Sequence, residues 1–476
     1  MAAAAALSFG AGCSSPAHHS GSPPSQTVSV ARTSAPAKAT CPASYAAPDP
    51  KRPVVDLHFA LADDLATVTG TESVTFTPDL PVSELVFRLT ANEPTLSIPG
   101  HNGPGGQPGP AARSSVRVGG VTVDGAAVRP GFDRAGAVRT SQGGLLRLPL
   151  RHRSPAGTTV RAHLTFTLAL GGDTFDRFGH TGATAWWGSG QPLLAWERGA
   201  GWRTEPMSAA AGETATSEAA RTRISVVAPA DLFLVGTGAF TGSKPVGGRR
   251  TWTSDSATAR DVAVFASGVM TEATRRVGTT TVTVTAGNRT LAARILGFAE
   301  QSLSALGKTY GPFPYPTLAI AMVDSFNGGI EYPGVTLIAG PSPRLEAHEI
   351  AHQYFYGMVG DAQARDPWLD EAFATYAQQV IGDELAPKDL KIPGPVGAPM
   401  SYWQQHRDEY EPVVYAKGAA MLAAARAAAG SARFDTALRC YVRAEAWKIA
   451  RPRDVAAAFA HLPAALAVFR KAGAIS

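Results

Sequence analysis

The chain has 476 residues, 45% hydrophobic and 17% charged, with a formal net charge of +5 and a pI near 9.1. That length exceeds one typical core, so two or more domains are expected, with the charge density of a globular protein. No dense Lys/Arg cluster or basic stripe occurs, which argues against a nucleic-acid partner, and no run after the N-terminus is apolar for long enough to span a bilayer.

Residues 1–13 open on a small, apolar run, Met1 to Gly12, followed by Cys13-Ser14-Ser15-Pro16. This resembles the end of a bacterial lipoprotein signal peptide, with Cys13 as the lipidated residue and a lipid anchor as the link to the membrane. No positive charge precedes the run, and Gly10 stands where a leucine is usual. The alternative is an unstructured Ala-rich start. Residues 14–49 are rich in Pro, Ser and Ala and read as a disordered tether, which suits an extracytoplasmic, membrane-anchored or secreted protein. Of the three cysteines, lipidation of Cys13 leaves Cys41 and Cys440, which either pair or remain free thiols.

From 50 to 288 the pattern is β. Val160, Ala162, Leu164, Phe166, Leu168 and Leu170 alternate with polar residues, the period-2 signature of a strand with one buried face. Shorter alternations occur at Val74-Phe76, Leu85-Phe87-Leu89, Ile224-Val226 and Val282-Val284, and Pro99 to Ala111 reads as a loop. Many short strands without intervening helices predict an all-β sandwich or saddle domain. Trp186, Trp187, Trp196 and Trp202 read as core and domain-interface packing.

After Asn288 the period changes. Leu291, Ile295, Phe298 and Leu306 predict a helix over 290–307 with Gly307 as its stop, and Thr317 to Val323 reads as a strand. Ser342-Pro343 is a cap followed by proline at the first helical position, and Gly357 is a natural stop, so 343–356 reads as one helix. Asp366-Pro367 repeats the signal for a second helix that opens on Asp370 and Glu371. A polar break near 383–400 precedes Ala-rich helices from Pro412 onward.

The first of the paired helices carries His348-Glu349-Ile350-Ala351-His352. At 100° per residue the two histidines lie about 40° apart on one face, one turn apart along the axis, so both imidazoles can hold one metal ion. Glu349 projects about 100° round the helix, beside the ion rather than onto it. Glu371 supplies a third ligand, and a His2Glu set with one open position is that of a catalytic zinc, one per chain. With 11 histidines in 476 residues, chance alone gives such a run in about one chain in a hundred.

The run with a glutamate nineteen positions on resembles the gluzincin metallopeptidases, and among them the M1 aminopeptidases. Trp368-Leu369-Asp370-Glu371-Ala372-Phe373-Ala374 is similar to that family's W-L-N-E-G-F-A, Gly328-Gly329-Ile330-Glu331-Tyr332 to its G-[AG]-M-E-N, and Tyr415-Ala416-Lys417-Gly418 to its Y-E-K-G. The resemblance covers about residues 50 to 430 and implies an α+β protein, with an all-β sandwich or saddle domain (50–288) followed by a thermolysin-like, mainly helical catalytic domain (289–476). It implies zinc on His348, His352 and Glu371, Glu349 as general base and Tyr415 as donor to the developing oxyanion. It further implies Glu331 as partner of a peptide substrate's free α-amino group, lined by Gly328 and Gly329, with Tyr410 beside the site.

Ile330 and Tyr332 replace the family's Met and Asn and are expected to reshape the walls of the first subsite. About 60 residues follow Tyr415, fewer than the family's usual helical cover, so a more open cleft is expected. The reading is therefore a zinc aminopeptidase. An endopeptidase or dipeptidase working through an open cleft and a non-catalytic peptide-binding lipoprotein are the alternatives.

Overall fold

The computed structural model describes residues 41–94, 113–172, 177–208 and 215–476, with the side chain of Ser256 excepted. Cys13, residues 14–40 of the tether and the Pro99–Ala111 loop lie outside the described residues.

Among the described residues, the first part is a sandwich. One layer is an eight-stranded sheet in the order Thr241–Gly242, Arg249–Ala259, Ala220–Pro229, Val54–Leu61, Thr67–Phe76, Val160–Ala169, Ser115–Val123 and Ala126–Ala127. The opposing layer is two four-stranded sheets, one containing Val82–Arg88 and Leu145–Ser154, the other Thr184–Gly188 and Ala263–Ser267. Strict alternation along Val160–Ala169 sends Val160, Ala162, Leu164, Phe166 and Leu168 into the shared core and leaves its other face exposed. Trp187 and Trp196 fill that core, Trp187 edge-on to Phe59 at 5.7 Å and Trp196 edge-on to Trp202 at 4.7 Å.

A five-stranded sheet follows, in the order Thr271–Val277, Thr280–Ala286, Thr317–Met322, Val335–Ile338, Gly329–Tyr332. Its first two strands precede residue 289, Thr271–Val277 pairing antiparallel with Thr280–Ala286 and Thr280–Ala286 parallel with Thr317–Met322, so the second sheet begins before the helical run does. One face packs against helices through Val282, Val284, Leu318 and Ile320. The other meets the sandwich, where Trp186 stands edge-on to Phe326 at 5.8 Å among Phe265, Val335 and Tyr332.

The long helix runs from Arg289 to Tyr310, capped by Asn288, whose side chain accepts from the Leu291 N–H at 3.0 Å. It passes through Gly307 and stops at Gly311, whose φ of 116° suits glycine; Tyr45 Oη lies where a side chain would otherwise go. The helix carrying the His-Glu run is shorter than its spacing predicts. Ser342 caps it as expected, but it ends at Ala351. The chain there turns towards the sandwich, where the Tyr356 hydroxyl donates to Asp261 at 3.2 Å and the Arg260 guanidinium lies 4.8 Å over its ring. Tyr356 takes a φ of 99°, held by these long-range contacts rather than by its own preference.

The next helix spans Trp368–Gly382, and Asp366 does not cap it; its carboxylate pairs with Arg365 at 3.3 Å. Short helices at Met400–Trp403 and Arg407–Tyr410 lead into a π-helical turn, Glu411–Lys417, and then into Gly418–Ala429 and Ser431–Ala444.

Residues 41–49, the end of the tether in the sequence reading, are strapped across the helical part. Cys41 is disulfide-bonded to Cys440, the Ala46 N–H donates to the Arg443 carbonyl at 2.8 Å, and the Tyr45 hydroxyl donates to the Pro312 carbonyl at 2.7 Å. Pro- and Ser-rich composition masks these two anchoring side chains.

Candidate metal centre and active site

Nε2 of His348 lies 3.0 Å from Nε2 of His352, and Oε2 of Glu371 lies 3.3 Å and 3.4 Å from them. Donors 2.0–2.1 Å from a tetrahedral ion stand about 3.3 Å apart, so this triangle fits zinc. The tautomer agrees. Nδ1 of His352 is 2.5 Å from Oδ1 of Asp370, an acceptor, so Nδ1 carries a hydrogen and Nε2 is the ring nitrogen left to face the other two groups and bind an ion. Glu371 Oε2 is buried and has no hydrogen-bond partner, as a carboxylate oxygen facing a cation would be.

Local sequence explains how the helices deliver these groups. His348 and His352 occupy one face of the Pro343–Ala351 helix and its last turn, and Glu371 enters from the first turn of Trp368–Gly382. Burial holds the His348 imidazole below its ordinary pKa. Burial pushes His352 the same way, but the carboxylates of Asp370, Glu371 and Glu331 outweigh it and hold that imidazole well above. Burial would raise Glu371, yet the two histidines hold it below the usual carboxylate range.

Glu349 leaves the same helix towards the edge strand Gly329–Tyr332. A Cβ on Gly329 would fall 2.4 Å from the Glu349 carboxyl carbon, so the glycine makes room for that carboxyl. Gly328 sits just before the strand, its carbonyl accepting from the Ala339 N–H at 2.8 Å. Glu331, on the same face of the strand as Gly329, joins Glu349 and His352 in a cluster whose ligand atoms all lie within 4.8 Å of one another. Burial pushes Glu331 up to about 7 and Glu349 well above its ordinary range. Glu331 Oε1 and Glu349 Oε2 are buried without a hydrogen-bond partner.

Tyr415 stacks against His348, ring centroids 6.0 Å apart and planes 12° from parallel. It is brought there by the π-helical turn. Residues five apart diverge on an α-helix but share a face on a π-helix, and Tyr410 meets Tyr415 edge-on at 5.7 Å. Tyr410 itself is buried behind Tyr415 and against Trp403, its ring 5.8 Å from that indole.

Ile330 and Tyr332 do not form subsite walls. They alternate with Gly329 and Glu331 and project to the opposite face, into the apolar cluster with Trp186 and Phe265. Tyr332 fits because strand residue 188 is glycine, where a Cβ would stand 2.0 Å from the phenol ring, and its hydroxyl accepts from Arg177 at 3.3 Å.

No family model matches the chain. Aminopeptidase M1-A of Oryza sativa subsp. japonica is 26% identical over 182 residues, 31% of this chain and 21% of that protein. Aminopeptidase RNPEPL1 of Mus musculus is 35% identical over 106 residues, 20% of this chain and 14% of that protein. The chain thus matches only about a fifth or less of the length of these relatives. Solved structures extend the likeness. An M1 zinc metallopeptidase from Deinococcus radiodurans superposes with a TM-score of 0.63 at 19% identity, covering 89% of this chain and 95% of that one. The chain has the fold of the M1 zinc metallopeptidases. A mutant of the Deinococcus radiodurans protein bound to a Tyr-Ser-Ala substrate superposes equally well, with 90% of this chain covered.

Within this M1 fold, two polar groups escape a reading by motif alone. Asp370 holds His352, and Gln363 donates to Asp370 at 3.0 Å. Asp370 abuts Glu371 in sequence, and that adjacency is the one signal that points to it.

Proposed function

We propose that the chain is a zinc-dependent peptidase that removes N-terminal residues from peptides. The observation that carries the exopeptidase reading is Glu331. Its carboxyl is buried within 4.8 Å of Glu349 and His352 donor atoms, with one oxygen lacking a partner, a setting suited to an ammonium group arriving beside the metal ligands. His348, His352 and Glu371 would hold zinc, which when bound supplies Lewis-acid polarisation and acidifies a water.

Each remaining residue has its own part. Glu349 takes the proton from the attacking water and passes it to the departing amine; its burial, which raises its proton affinity, supports that role. The Tyr415 phenol donates to the carbonyl oxygen as charge develops there. Glu331 pairs with the substrate's α-ammonium and so sets how far the chain can enter. The Cys41–Cys440 disulfide supports an oxidising, extracytoplasmic location, consistent with anchoring through a lipid on Cys13.

The test is a comparison of amino-acid amides with N-blocked peptides, with and without a chelator. The proposal expects chelator-sensitive cleavage of the free-amine substrates and little of the blocked ones. Equal cleavage of both would leave a zinc peptidase without N-terminal selectivity, and chelator-insensitive cleavage would remove zinc from the reaction. Glu331→Ala should weaken free-amine substrates far more than blocked ones.

A further inference from the structure

We propose that Asp370 and Gln363 form a buried positioning relay that orients His352 and ties that orientation to the backbone of the sandwich part. The inference rests on the zinc reading above. Asp370 and Glu371 are neighbours in the first turn of one helix, about 100° apart, so one turn presents a ligand and the partner of another ligand. Both Asp370 and Gln363 are about 1% exposed.

Three hydrogen bonds run in series. His352 Nδ1 donates to Asp370 Oδ1 at 2.5 Å, Gln363 Nε2 donates to Asp370 Oδ2 at 3.0 Å, and the Ala215 N–H donates to Gln363 Oε1 at 3.1 Å. The order fixes the amide. Turned over, Gln363 would set its oxygen against the Asp370 carboxylate and its NH2 against the Ala215 N–H. Ala215 lies five residues before the strand Ala220–Pro229 of the eight-stranded sheet. Gln363 stands in the turn between the two ligand-bearing helices, so the same amide braces the connection between them.

The relay acts through His352 rather than on substrate. Without Asp370, Nδ1 keeps only the neutral Phe355 carbonyl, 3.3 Å away, so the imidazole is held less firmly and turns more readily to carry its hydrogen on Nε2, the atom the metal needs. A chain of buried donors and acceptors that is fully matched holds one arrangement; a mismatched link loosens it.

The experiment follows zinc itself. Zinc-loaded protein is mixed with excess chromogenic chelator and the release rate is read, with kcat, KM and Tm measured in parallel. Asp370→Ala should speed release about 10- to 100-fold, and Gln363→Ala should act in the same direction by a smaller factor. Asp370→Asn places an NH2 against the Gln363 NH2 and should also speed release. Adding Gln363→Glu to Asp370→Asn restores a donor facing an acceptor at that link, and release should slow again towards wild type. Should Asp370→Ala fail to fold, the Asp370→Asn pair still decides. Unchanged release in Asp370→Asn and Gln363→Ala, or a double variant no slower than Asp370→Asn, would overturn the relay. A wild-type chain that binds no zinc would overturn the zinc reading and the relay together, whereas normal wild-type binding without variant effects overturns the relay alone.

Discussion

Gly418 lies against Ala372 so closely that a Cβ on the glycine would stand 2.5 Å from the alanine Cβ. Ala372 directly follows Glu371, and Gly418 begins the helix that continues from the π-turn bearing Tyr415. The contact therefore bears on how near Tyr415 comes to His348. Gly418→Ala should push the two helices apart, costing about 1–3 kcal/mol of stability and about 10- to 100-fold in kcat, with zinc still bound. Wild-type kcat in a folded Gly418→Ala protein would show that this spacing does not govern the site.

The strap makes a separate prediction. Cys41 and Cys440 are 399 positions apart, and their bond closes the N-terminal strap onto the helix Ser431–Ala444. Cys41→Ser, Cys440→Ser and the double variant should each lose the same stability, about 2–4 kcal/mol, and a reductant should bring wild type to their level. Unequal losses, or no response of wild type to reductant in thermal denaturation, would show that the bond is not what holds the strap.

Glu72 offers a test by pH. It is buried in the sandwich core, burial raises its pKa well above 4.5, and its Oε2 has no hydrogen-bond partner. The folded state therefore keeps this proton where the unfolded chain releases it. Its contribution falls as pH rises from about 4.5, because there the unfolded state binds fewer protons than the folded one. Glu72→Gln should then be more stable than wild type at pH 8 by at least about 1 kcal/mol, with the gain vanishing near pH 4. A loss of stability at pH 8 would mean the carboxyl is ionised and satisfied in the folded protein.

Arg260 and Asp361 are a buried pair, Nη1 to Oδ1 2.8 Å, joining the sandwich to the turn after the first ligand helix. Arg260→Met leaves Asp361 buried and unpaired and should cost about 3–5 kcal/mol in chemical denaturation. Replacing both partners with apolar residues should recover part of that loss. A single variant as stable as wild type would contradict the burial of an ionised pair.

Much of the fold was legible because its signals are local. The alternation along Val160–Ala169, the Ser342 cap and the one-turn spacing of His348 and His352 each depend on a few consecutive residues, and the structure carries them as read. What was not legible depends on distant partners. The ligand helix ends at Ala351 rather than 356 because Tyr356 engages Arg260 and Asp261, about a hundred residues earlier. The long helix runs past Gly307 and stops at Gly311, where Tyr45, some 265 residues earlier, packs. Ile330 and Tyr332 turn away from the cleft because Gly188, on a strand of the sandwich, leaves room for the phenol. The π-turn under Tyr415 does not follow from the Ala-rich helical pattern read from Pro412 onward; in the structure it accompanies the close approach of Gly418 to Ala372.

The central claim is that Glu349 moves the proton beside a zinc ion held by His348, His352 and Glu371. The most direct measurement is zinc content and turnover of a free-amine substrate in Glu349→Ala. The account predicts one zinc per chain, as in wild type, with kcat reduced by about 10²- to 10⁴-fold. Full turnover in a zinc-loaded Glu349→Ala protein would contradict it.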